Sequence, residues 1–155
     1  LGRVFMAPVD CPFHAADQVL DSLPEDARII LVDFHAEATS EKRAMGFYLD
    51  GKVSAVIGTH THVQTADETI LPKGTAFLCD LGMTGPYDSI LGRRKDRVLK
   101  ALLTNLHTPF DVATDDCRLC GILVAVDAAT GRAVSIERIR IDADAHQDSE
   151  NHQDT

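Results

Sequence analysis

The stretch "RIILVDFHAEATSEKRAMGFYLDGKVSAVIGTHTH", residues 28–62, decides the fold. It begins with a nearly continuous β-branched and apolar run, the composition of a strand buried on both faces. "TSEKRAMGFYL" follows, with Thr39 or Ser40 placed to cap a helix that continues through Leu49. "KVSAVIGT", residues 52–59, is a second buried strand. Strand, helix and strand in direct succession are the unit of a parallel sheet, because parallel neighbours need a crossover that a helix supplies. The fold class is therefore α/β.

Ligands of such sheets gather beyond the carboxyl ends of the strands, which makes the histidines informative. His35 comes directly after "IILVDF", and His60 and His62 come directly after "VSAVIGT". With the two strands parallel, all three imidazoles emerge at one edge. Residues i and i+2 of extended backbone point the same way. On that spacing His60 and His62 face one cavity, and Asp33 and His35 stand in the same relation. Two neutral nitrogen donors at one spot suit zinc, manganese or iron. Histidines at strand ends also serve as hydrogen-bonded loop residues; three of them at the ends of adjacent strands weigh towards a metal without specifying a reaction.

The flanking segments extend the pattern. "GRVFMAP" reads as a short strand closed by Pro8, and "HAADQVLDSL", from His14 to Leu23, as a helix ended by Pro24. "GTAFLCDLG", residues 74–82, is a third strand, and "RRKDRVLKALLTNL", residues 93–106, an amphipathic helix. "RLCGILVAVDAATGRAVSIERIRI" reads as an antiparallel hairpin about an Ala-Thr-Gly turn. Residues 1–141 thus form the folded portion, and the acidic segment from Asp142 to Thr155, with His146 and His152, reads as a disordered tail.

Charge and composition exclude several classes. The 155 residues carry a formal net charge of −9, which repels nucleic acid and anionic membrane over any broad surface. A small phosphate-containing substrate remains compatible, since a bound cation inverts the local sign. No apolar run reaches the roughly 18–20 residues that cross a bilayer, and no signal segment opens the chain, so the reading is cytoplasmic. The four cysteines do not suggest a disulfide scaffold, and "CRLC" lacks the second pair that a zinc site requires. His14 and His107 read as surface or hydrogen-bonded residues, and Ser54 and Ser89 lie in no nucleophile elbow. The "RRKDR" run reads as the solvated start of a helix. "DLGMTGPYDSILG", residues 80–92, is either a wall of the substrate pocket or a demanding turn built on Gly82 and Gly85.

"VDFHAEATSEK", "YLDGKVSAVIGTHTHVQTADETILPKGTAFLCDLGMTGPYDSILG" and the closing "SIERI" resemble the bacterial metallophosphoesterases of the YmdB-like family, calcineurin-type phosphodiesterases acting on cyclic nucleotides. The resemblance covers Leu1 to Ile141 and implies a sandwich of mixed sheets flanked by helices. It also implies a centre of two divalent or trivalent metal ions, iron or manganese with zinc as the alternative. His35 and His60 would bind one metal and His62 the other. Asp33 and Glu37 match no ligand of the family and read as residues that support the ligands or cap the following helix. Two cations about 3.5–4 Å apart clamp a phosphodiester and activate water against phosphorus; the substrate is then 2′,3′- or 3′,5′-cyclic.

The family's aspartate, bridging glutamate with its asparagine, and Asn-His pair have no match in this chain, and the histidine that protonates the leaving group belongs with them. The chain, opening on Leu1, therefore reads as the C-terminal portion of such an enzyme. The rival reading is a non-catalytic fragment or a mononuclear metal-binding module. A missing N-terminal half would leave apolar surface and open strand edges that invite association, homo-oligomers included.

Overall fold

The computed structural model describes residues 1–143. The first helix, α1, is Pro12–Ser22, started by a proline whose missing N–H costs nothing there. Strand β1, Leu31–His35, leads into helix α2, Thr39–Tyr48. β2 is Ala55–Thr59, β3 Thr69–Ile70, β4 Ala76–Leu78 and β5 Gly85–Pro86. Helix α3, Lys95–Thr104, precedes the long strands β6, Cys117–Val126, and β7, Ala133–Asp142. The result is a mixed α/β fold in two compact units. One comprises Leu1–Gly82 with Ile122–Arg138; the other comprises Met83–Gly121 and, of the described residues, 139–143.

In the first unit the sheet order is β1-β2-β4-β3. β1, β2 and β4 run parallel, as the strand–helix–strand pattern requires, and β3 is antiparallel to β4. One face carries Phe34, Met45, Leu49, Val56 and Phe77, with Phe13 and Leu20 of α1 against them. Burying each such side chain contributes roughly 1.5–3 kcal/mol. The opposite face is built small. Ala55, Ala76 and Ala133 meet there, with Val124 and Ile136 of the hairpin strands packed against them. The hairpin is closed by the Asp127 N–H, which donates to the Arg132 carbonyl at 2.9 Å. Gly131 turns this connection at φ 72°. A Cβ at that position would lie 2.0 Å from the Arg28 carbonyl oxygen, so only glycine fits.

In the second unit β5 pairs antiparallel with the start of β6, and α3 buries only Val98. All four cysteines are free thiols. No helix among the described residues is long and apolar enough to cross a membrane.

Four expectations need correction. No strand forms over residues 2–8, because the amides of Arg3 and Val4 donate to the Glu41 carboxylate instead of a neighbouring strand. β1 is not buried on both faces: it is the sheet's edge, and Leu31 is 67% exposed. Neither Thr39 nor Ser40 caps α2; the N-cap is Ala38, with no side-chain bond. The third parallel strand contracts to three residues of the expected nine-residue run. The tail expectation falls, beyond Asp142 and Ala143, outside the described residues.

Candidate metal centre

β1 ends at His35 and β2 at Thr59, and the parallel register sets these two residues opposite each other. His35 Nδ1 lies 3.0 Å from Thr59 Oγ1, and that hydroxyl donates to Asp33 Oδ1 at 2.8 Å. A hydroxyl whose single proton goes to Asp33 can only accept from His35. The network therefore assigns the hydrogen to Nδ1 and leaves the Nε2 lone pair free. His60 Nδ1 faces that lone pair at 2.9 Å, with the two rings edge-on at a centroid distance of 4.8 Å. On its far side, His60 Nε2 meets Glu37 Oε2 at 2.9 Å.

This arrangement fits a cation. Each outward ring nitrogen is held by an acceptor chain that ends in a carboxylate, Glu37 for one ring and Thr59–Asp33 for the other. Such support fixes the tautomer and raises the basicity of a ligating imidazole. The two inward nitrogens share one spot, which must hold either a proton or a positive ion. Their 2.9 Å separation is that of a hydrogen bond, and with bonds of about 2.0–2.1 Å it suits two ligands at roughly a right angle about one ion, a tetrahedral site needing them slightly further apart. Asp33 and Glu37 are thus brought to the histidines by hydrogen bonds behind the rings.

His62 is placed differently. β2 stops at Thr59, and both His60 (φ 112°) and His62 (φ 65°) adopt positive φ. The alternation of extended backbone does not apply to this loop, so the i, i+2 argument fails for the H-x-H pair. The turn at His60 swings its ring back to His35, while His62 is exposed. Among the described residues, no three His, Cys, Asp or Glu side chains are arranged to hold an ion. Gly82 (φ 86°) and Gly85 (φ 158°, within β5) both adopt positive φ.

Four residues missing from the sequence reading, Thr59, Asp80, Lys42 and Asp67, support the loop. Thr59 orients His35. Asp80, two residues past β4, accepts from the Thr61 N–H at 2.9 Å and from Lys42 Nζ at 2.7 Å on the same oxygen. Its other oxygen accepts from the Gly82 N–H at 2.9 Å. Burial opposes the Asp80 charge, but the Lys42 ammonium and the Gly82 and Thr61 amides outweigh it and hold the carboxyl below its ordinary range. Asp67 adds a tie by accepting from the Cys79 N–H at 3.1 Å. A sequence signal existed for Asp80, since it stands beyond a strand's carboxyl end, as the histidines do. For Lys42 the signal was a lysine on the face that also carries Met45 and Leu49.

The chain resembles known proteins over most of its length. The profile of YmdB-like proteins matches residues 1–139. A protein of Bacillus subtilis, 2′,3′-cyclic-nucleotide 2′-phosphodiesterase, is 52% identical over 92% of this chain and 54% of its own length. A hypothetical protein from Thermus thermophilus has a crystal structure that superposes with a TM-score of 0.85 at 45% identity, over 91% of this chain and 54% of that one. A novel phosphatase from Mycoplasma pneumoniae gives 0.81 at 35% identity, over 88% and 50%. The chain spans about half the length of the relatives it matches.

Proposed function

The chain belongs to the YmdB-like family, and from that premise we propose that it serves in a metal-dependent phosphodiesterase acting on 2′,3′-cyclic nucleotides. The observation that carries the reading is the convergence of His35 Nε2 and His60 Nδ1 at 2.9 Å, with both outer nitrogens held in place. The substrate class is that for which the Bacillus subtilis relative is named. Two ions, iron or manganese with zinc the alternative, would supply Lewis acidity to the phosphate ester and to the attacking water.

The residues of this chain have defined tasks in that reading. His35 and His60 lend neutral donors to one ion, and His62, from the same loop, serves the other. Glu37 holds the outer N–H of His60, and Thr59 with Asp33 holds that of His35, so neither ring can turn its lone pair away. Gly82 shapes the turn beside the loop, where a Cβ would press within 2.8 Å of Gln64. The anionic bridge between two ions and the proton donor for the leaving alcohol are assigned to the part of the relatives' length that this chain does not span.

The two-nitrogen geometry also favours a second reading, a module that holds one ion without turnover. Hydrolysis of 2′,3′-cyclic AMP in added manganese separates the two. The enzyme reading expects turnover once this chain is joined to the part of the relatives' length that it does not span, with His60→Ala in that complete enzyme losing metal and activity together. Bound metal without turnover selects the module, and full activity of His60→Ala with unchanged metal sinks the ligand assignment.

A further inference from the structure

We propose that the buried Lys42–Asp80 pair is a positioning device that holds the histidine loop in the strained form needed to bring His60 to His35. The inference rests on the reading of those two histidines as a cation-binding pair.

Positive φ at a non-glycine residue costs on the order of 1–3 kcal/mol and persists only where surrounding contacts over-determine it. His60 and His62 both pay this, one residue apart. The residue between them, Thr61, donates its N–H to Asp80 Oδ2 at 2.9 Å. Asp80 also grips the loop further on: its N–H donates to Thr65 Oγ1 at 2.9 Å, and its carbonyl accepts from the Thr65 N–H at 3.1 Å. One residue therefore clasps the loop at Thr61 and Thr65.

Asp80 is itself held from α2. Its side chain and that of Lys42 are each 1% exposed. An isolated carboxylate at that depth would take up a proton or draw in water. Lys42 keeps it ionised and fixes its orientation from α2. The lysine reaches it beside Gly58 of β2, where a Cβ would lie 2.8 Å from Lys42 Cδ and 1.7 Å from the Cys79 carbonyl oxygen. A helix side chain, a glycine gap in the sheet and an aspartate beyond β4 thus act as one strut ending on the Thr61 amide. A hydrophobic pair would fill the same space, and such replacements are often neutral or stabilising. What they would lack is the acceptor for Thr61.

The test reads ring proximity in the metal-free protein, so it does not depend on the cation. An NMR cross-relaxation contact between the His35 and His60 rings is measured in wild type, in Lys42→Met/Asp80→Asn, and in Lys42→Met/Asp80→Leu. The asparagine variant keeps an acceptor oxygen for Thr61 and should keep the contact; the leucine variant should stay folded and lose it. A contact that persists in the leucine variant overturns the proposal. Should that variant not fold, amide exchange in the wild type decides. The Thr61 amide should exchange at least ~100-fold more slowly than an unstructured amide, and free exchange overturns the proposal. Manganese titration of the same samples reports separately on the cation reading. Ring contact without manganese binding would contradict that reading and leave the strut standing.

Discussion

Helices α2 and α3 are both ten residues long, yet each buries what its pattern would not suggest. α3 and its C-terminal extension carry Leu99, Leu102, Leu103 and Leu106 at helical spacing, the mark of a face that seeks a core. Leu102 is nevertheless 74% exposed and Leu103 83%. α2 has no such stripe and buries Glu41 and Lys42 beside Met45 and Gly46. Its two buried charges each fasten a different piece of chain. Glu41 accepts the amides of Arg3 and Val4, and Lys42 reaches Asp80 and through it the histidine loop. Apolar periodicity records which face gains from burial. Buried charge records where a fold must hold something still, because charge enters a core only when its partners meet it there.

The contrast can be broken most sharply at Lys42. Lys42→Ala strands the Asp80 carboxylate in the core and should cost about 3–5 kcal/mol, read from urea denaturation followed by circular dichroism. A loss near zero would mean that the pair does not stabilise α2 against the sheet.

Acid offers a smaller perturbation of the same pair. Asp80 is held below its ordinary range in the folded state, so its contribution is fully present above the unfolded value of about 3.9. It is lost as pH falls through the lowered folded value. Stability should decline below about pH 4, and Asp80→Asn should decline less steeply over that window. Equal slopes would remove Asp80 from the account.

The smallest effect belongs to α3. Leu103→Lys on its exposed face should change stability by no more than about 0.5 kcal/mol, measured by the same denaturation. A loss of several kcal/mol would show the leucine stripe to be covered in solution and would erase the contrast between the helices.

Much of this was legible in the sequence, for physical reasons. Parallel β1 and β2 follow from two apolar runs separated by a helical segment. Their carboxyl ends then bring His35 and His60 to one edge without any knowledge of side-chain packing. The illegible parts are tertiary events. Nothing local announces that His60 and His62 turn to positive φ, since histidine, though enriched there among non-glycine residues, adopts that region in only a small minority of cases. An edge strand and an interior one look alike in composition, so the exposure of Leu31 was hidden until the sheet order was known. The Arg3 and Val4 amides go to Glu41, a partner far along the chain, and the strand expected there does not form.

The central claim is that His35 and His60 present two nitrogens to a single cation. Isothermal titration of the chelator-free protein with manganese, in wild type, His35→Ala and His60→Ala, tests it most directly. The account predicts saturable binding by the wild type that either substitution abolishes while circular dichroism shows the fold intact. Undiminished binding in both variants, or none in the wild type, would contradict it.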